Sequence, residues 1–198
     1  MQKLINKFEE VGYKVFCAKD KKEALELSKS LIKPGMSVGL GGSTSVKDIG
    51  LLDDLIKRDD ITLFNQYEVG ISMDENFARR RNGMITDMFV TGTNALSRDG
   101  KLINADGSGN RVAAMIFGPV NVLVIVGKNK IVDTKEDGFK RIMEIAAIKN
   151  IDRMNNLAIK NNKKPRHNLD NIANKFTYIK ADVKDRIILI LVDEDLGY

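Results

Sequence analysis

Three short stretches hold the residues whose types and spacing suit chemistry. Gly41-Gly42-Ser43-Thr44 follows an apolar run at 36–40 and opens a helical pattern. Its backbone N–H groups and hydroxyls therefore lie at the positive end of a helix, where a phosphate, a carboxylate or a polarised carbonyl is favoured. The segment GLGGST lacks the lysine of a P-loop and the third glycine of a dinucleotide fingerprint. Thr91-Gly92-Thr93-Asn94 closes a second apolar run, and its glycine permits a ligand to approach the backbone. Asp106-Gly107-Ser108-Gly109-Asn110-Arg111 is a glycine-rich loop that opens a short apolar helix stopped by Gly118-Pro119. Among the polar side chains of these loops, Asn94, Asn104 and Asn110 are amides that orient a ligand without taking its proton. Only Asp106, Asp48 and Glu68 transfer protons.

The elements that must position these loops are legible as apolar runs alternating with helical patterns. Runs at 36–40, 61–64, 88–90 and 120–126 read as a central parallel set, which implies an α/β fold, a mainly parallel sheet with helices on both faces. In such sheets ligands collect beyond the carboxyl ends of the strands. One pocket is therefore expected, lined by Gly41, Gly42, Ser43, Thr44, Gly92, Asn94, Asp106, Gly107 and Asn110, with Arg111 either adding charge or pointing outward. The alternative is that the first loop only turns, with Ser45 capping a helix over 46–57 and Asp48 completing the box. Arg98-Asp99-Gly100 marks a tight hairpin between 95–97 and 101–104. Of Arg79-Arg80-Arg81, about 100° apart on a helix over 72–83, one side chain faces the pocket. Asp20 and Glu23 have capping-box spacing, and the strand-like runs at 175–180 and 186–192 around Ala-Asp-Val-Lys-Asp predict a C-terminal antiparallel hairpin.

Composition bounds the rest. A chain of 198 residues, 43% hydrophobic, suits one core and hence one domain over 1–198. The net charge of +5 comes from 32 basic residues interleaved with 27 acidic ones, which argues for solvated helix surfaces rather than a nucleic-acid partner. The basic stretch Lys160 to His167 lacks interleaved aromatics and reads as an exposed loop. No apolar run approaches the roughly 18 residues of a membrane span. The single cysteine, Cys17, sits in a short apolar stretch and reads as a buried structural thiol, consistent with a reducing, cytoplasmic setting. One cysteine and one histidine, His167, cannot supply a zinc or iron–sulfur ligand set.

The run GTNALSRDGKLINADGSGNRVAAMIFGP, followed by NVLVIVGKNKIV, resembles the LUD domain, the lactate-utilization family. The Gly41-Gly42-Ser43 loop and the tail ILILVDEDLGY are similar to that family's other landmarks, so the resemblance covers most of the chain. It implies a fold like the ribose-5-phosphate isomerase and CoA-transferase group. In related isomerases an acid in the turn is catalytic, and Asn94 stands there in this chain; Glu68 before Val-Gly stands near where CoA transferases carry a glutamate nucleophile. Many relatives bear cysteines after the long helical pattern that runs to about 157, whereas the segment 155–171 has none. The implied ligand is a small anionic metabolite, a 2-hydroxy acid first. The chain has no nicotinamide, flavin or iron–sulfur signature, so electrons would pass to redox partner proteins. A non-catalytic sensing or assembly module, and a CoA-transferase or folate cyclo-ligase type enzyme, are the alternatives. Cofactor identity and homo-oligomer formation are left open by the sequence.

Overall fold

The buried runs of the sequence set the architecture of the computed structural model, which describes residues 2–198. Helix α1 (Gln2–Glu10) turns Leu4 and Phe8 inward, and the chain passes through Gly12 into strand β1 (Lys14–Ala18). Helix α2 (Lys21–Leu31) starts at Asp20, which accepts from Glu23 N at 2.8 Å, but the Glu23 carboxylate reaches Lys19 N instead of the cap residue. Strand β2 (Ser37–Leu40) leads to α3 (Thr44–Asp48) and α4 (Leu51–Lys57). The single helix expected over 46–57 is thus two, broken at Gly50, whose φ of 79° no helix interior allows. Strand β3 (Thr62–Phe64), helix α5 (Met73–Asn82) and strand β4 (Met88–Gly92) follow. Strands β5 (Ala95–Ser97) and β6 (Lys101–Asp106) form the hairpin, with Gly100 at φ 86° as the Asp-Gly pair requires. Then come α6 (Asn110–Ile116), β7 (Asn121–Gly127), β8 (Ile131–Val132) and α7 (Lys135–Arg141), which continues through a π-helical turn, Ile142–Ala146, into α8 (Ala147–Lys160). The chain ends in α9 (Leu169–Ile172), β9 (Lys175–Ile179) and β10 (Ile187–Val192).

The main sheet has six strands in the order β1-β10-β7-β4-β2-β3, every pair parallel. The four central runs read from the sequence are adjacent in it, as expected. The C-terminal hairpin is not formed. β9 pairs antiparallel with β6 in a second sheet, ordered β8-β5-β6-β9, while β10 inserts between β1 and β7 in the first. The physical reason lies in burial. All six residues of β10 are buried, which an exposed two-stranded ribbon cannot provide, whereas β9 buries only Thr177 of its five.

Alternation within the buried strands divides the core. Val38, Leu40, Val90, Leu123, Ile125, Ile188 and Ile190 face α2, α3 and α4, and Phe89, Val122, Val124, Ile187 and Leu189 face α1, α6 and the inner side of the small sheet. Each such side chain contributes roughly 1.5–3 kcal/mol by burial. The outer side of the small sheet, through Ala95, Ile103 and Ala105, packs on Ile142 and Ala147 of the long helix. Where α5 ends, its following turn crosses β2 so closely that a Cβ on Gly39 would lie 2.0 Å from Gly83 O. Cys17, expected to be buried, is exposed, because β1 is an edge strand covered on one side only by β10. Among the described residues no helix is long and apolar enough to cross a membrane.

Candidate functional site

Chain direction across the main sheet reverses at β2 and β4: the connection after β2 leads outward to β3, and the one after β4 leads the other way, towards β7. The loops leaving two such neighbours diverge and open a crevice at the carboxyl edge. Gly41 N donates to Val90 O at 2.9 Å, which ties the first loop to β4, and a Cβ on Gly92 would lie 2.6 Å from Ser43 Oγ. The two glycine turns are therefore in contact. Ser43, not Ser45, caps α3 by accepting from Val46 N at 3.2 Å, and Asp48 accepts from Gly197 N instead of closing a capping box. Gly42 is exposed, and a Cβ there would approach only Tyr67 Oη, at 3.9 Å.

Arg111 points inward and is buried. Its Nε donates to Asp106 Oδ1 at 2.9 Å, Nη1 to Gly92 O and Asn104 Oδ1, and Nη2 to Asn94 Oδ1 and Ala105 O. All the donors of a guanidinium are thereby taken up inside the protein, so Arg111 organises the loops and has none left for a ligand. Asp106 also accepts from the amides of Arg111 and Val112 at 3.1 Å, capping α6. The Asn94 side-chain oxygen accepts from Ala105 N at 2.9 Å as well as from Arg111. These groups lock the turn after β4 onto the small sheet.

Three successive carbonyls of that turn each accept from a different buried cation. Gly92 O takes Arg111 Nη1 at 3.2 Å, Thr93 O takes Lys130 Nζ at 3.1 Å, and Asn94 O takes Arg141 Nη1 at 2.6 Å. Sequence reasoning missed two of the three. Lys130 lies in Gly-Lys-Asn-Lys, which has the composition of a solvated turn, and Arg141 precedes the π-helical turn on a helix read only for packing. Lys130 is 4% exposed, and its other partner is Ser45 Oγ at 2.9 Å. Among the described residues no carboxylate lies in salt-bridge contact with it; burial, with Arg141 and Arg111 adding repulsion and Asp48 opposing, lowers its pKa from 10.5 to about 7. The neutral amine is thus available near neutrality. Burial also lowers the pKa of Arg141.

A second group of cations stands on the outer side of the crevice. Tyr67, whose hydroxyl donates to Gly41 O at 3.2 Å, has Lys47 Nζ 4.5 Å from its ring centre. Arg80 Nε donates to Gln66 Oε1 at 2.7 Å and Nη1 to Ser108 Oγ at 3.3 Å, so it bridges the β3 exit to the Asp106–Arg111 loop. Of the arginine run it is the one that reaches this crevice through Gln66 and Ser108: Arg79 pairs with Glu68 and Glu75, and Arg81 lies over the Phe77 ring that Arg80 also flanks. Arg153 Nε donates to Tyr198 Oη at 2.9 Å. Burial pushes the Tyr67 hydroxyl up, against the pull of Arg153 and Arg80; burial first, then Arg153, pushes the Lys47 ammonium down. Among the described residues none of Lys47, Arg80 and Arg153 has a carboxylate within salt-bridge distance.

The remaining candidates are distributed as follows. Glu68 is exposed and held by Arg79, away from the two glycine turns. Gly107 packs against α9, since a Cβ there would lie 2.7 Å from Asn171 O, and Asn110 begins α6. No group of three or more metal-ligating side chains occurs among the described residues. The surface concavity bounded by Glu9, Gly12, Tyr13, Asp182 and Asp185 lies at the opposite, amino edge of the sheet, where carboxylates disfavour an anion. Among the described residues, Asn104 Nδ2 and Thr177 Oγ1, on residues paired across β6 and β9, are the buried side-chain atoms without a partner. Replacing Thr177 with valine removes an unsatisfied hydroxyl at nearly constant shape, so stability in urea is expected to stay level or rise by about 1 kcal/mol. A loss of that size would mean that the hydroxyl is bonded after all.

A family model described as the LUD domain matches residues 1–192. The fold is similar to the crystal structure of a DUF162 family protein from Deinococcus radiodurans, at 12% identity and a TM-score of 0.50, covering 96% of this chain and 94% of that one. No curated protein matches the chain.

Proposed function

The chain belongs to the LUD domain family, which is associated with lactate utilization, and on that premise we propose that it binds a small anionic metabolite, a 2-hydroxy acid first, in the crevice beside Gly42. The observation that carries this reading is the convergence of Lys47, Arg80 and Arg153 around Tyr67, none of them in salt-bridge contact with a carboxylate among the described residues, Asp53 acting on Lys47 only from a distance. Uncompensated positive charge is costly to assemble, and an anion offsets that cost through charge-assisted hydrogen bonds. Exposed Gly42 leaves room for the ligand to reach the backbone. Oxidation of a hydroxy acid moves two electrons, and the chain's own donor set, with one exposed cysteine, does not fit an iron–sulfur cluster. The electrons are therefore assigned to partner proteins, with this chain holding the substrate.

Titration calorimetry with lactate, pyruvate and inorganic phosphate tests the reading. Saturable binding that weakens with salt is expected for at least one of them. Gly42→Leu should abolish it while leaving the unfolding transition in place, because the added side chain fills open space. Arg80→Gln should weaken it about tenfold or more, the worth of one hydrogen bond to a charged group. Binding unchanged in both variants, or none to any of the three anions, would overturn the assignment.

A further inference from the structure

Lys130 and Ser45 form a second constellation, separate from the outer cations. Ser45 Oγ lies 2.9 Å from Lys130 Nζ, and Lys130 is in turn oriented by Thr93 O at 3.1 Å. A hydroxyl within hydrogen-bond reach of a base that a third group holds in place is the geometry of an activated nucleophile. Both residues are buried. A lysine serving only to satisfy Thr93 O would be expected to bring a paired carboxylate with it; here Asp48 acts only from beyond salt-bridge contact, and the other charged neighbours are the guanidinium groups of Arg111 and Arg141, bound to the flanking carbonyls.

We infer that Ser45 is a nucleophilic serine activated by Lys130, in a closed site for a small activated acyl group, an ester or a thioester. The Ser45 hydroxyl passes its proton to the Lys130 amine as the Oγ–C bond forms at the acyl carbonyl. The bond to the leaving oxygen or sulfur then breaks, and the Lys130 ammonium returns the proton to that atom. Water, or a second acceptor, takes the acyl group from Ser45 by the reverse sequence, so the cycle is redox-neutral. Leu196 and Gly197 cover the pair: Leu196 N donates to Asn129 Oδ1 at 3.1 Å, Asn129 Nδ2 donates back to Leu196 O at 3.3 Å, and Gly197 N donates to Asp48. Ser45 Oγ itself lies 3.5 Å from Leu196 O. This segment belongs to no helix or strand, and because Leu196 is fully buried the segment must lift before the acyl compound enters.

The test is incubation of the protein with p-nitrophenyl acetate, followed by peptide mass mapping. An acetyl group on Ser45 is expected, forming faster as pH rises through neutrality, because Lys130 must be neutral to accept the proton while Arg111 and Arg141 face it and Asp48 opposes them. Lys130→Met should slow this at least about a hundredfold, the scale of general-base assistance. Asn129→Ala loosens the cover and should speed it. Lys128→Met, at the exposed lysine of the same turn, should leave it unchanged, and because acetylation is read by mass and anion binding by heat, failure of the anion reading and failure of this one are distinguishable. Acetylation of Lys130 in place of Ser45, or no acetyl-Ser45 in either the wild type or Asn129→Ala, would overturn the inference.

Discussion

Replacing Lys130 with methionine is expected to raise the urea resistance of this protein at neutral pH, even though it deletes two hydrogen bonds. The lysine's folded-state pKa lies below its unfolded value, from 10.5 down to about 7. The unfolded chain therefore binds more protons between those limits, and stability rises with pH across that window. The destabilisation is fully present below about pH 7 and is gone above about 10.5. At about 1.4 kcal/mol per unit the shift sets a ceiling of roughly 5 kcal/mol at pH 7. Leaving Thr93 O and Ser45 unpaired costs about 1–3 kcal/mol in return, so a net gain of about 2 kcal/mol is expected. The advantage should shrink by about 1.4 kcal/mol per unit as pH rises and change sign near about pH 8.5. Tyr13, whose pKa burial raises, loses stability above its unfolded value of 10.0 and is kept out of the comparison by stopping there. Equal urea midpoints for wild type and variant at pH 7, or parallel dependence on pH, would remove the case for a neutral buried amine. A group that weakens its own fold is the kind retained for chemistry.

Arg111→Ala should have the opposite consequence, a loss of about 3–5 kcal/mol, because it strands the Asp106 carboxylate and removes the donors to four carbonyl or amide oxygens. Arg111→Lys should not rescue it. One ammonium cannot span Gly92, Asn94, Asn104, Ala105 and Asp106 at once. Equilibrium unfolding followed by circular dichroism measures both; a loss below about 1 kcal/mol for the alanine variant would show that the network is held by the other loops.

The central sheet was legible because its strands are continuous apolar runs, and the contact of the two glycine turns followed from where those strands end. Pairing of the last strands was not. A short polar turn between two strand-like runs favours the local hairpin, yet Ile-Ile-Leu-Ile-Leu-Val carries the signature of a strand buried on both faces, and that signal outweighs proximity. The burial of Lys130 had no counterpart in sequence. Its surroundings are Ser45, Thr93 and Arg141, residues drawn from α3, the β4 exit and α7, so only the assembled fold shows that the second lysine of Gly-Lys-Asn-Lys is sealed while the first is exposed. Arg111 was recognised as a candidate, but a helix start leaves direction open, and Asp106 five residues earlier decided it.

The position of β10 also bears on how the molecule comes to be made. Among the described residues β1 pairs with β10 and no other strand, so it has no neighbour in the sheet until residues 187–192 have left the ribosome. Until then β7 likewise presents an open apolar edge. Sequence-distant parallel pairing of this kind folds slowly, and unpaired edges invite association between nascent chains. Chaperone dependence should therefore concentrate late in translation, in the interval when five strands of the main sheet exist and the sixth, which must slot between two of them, does not.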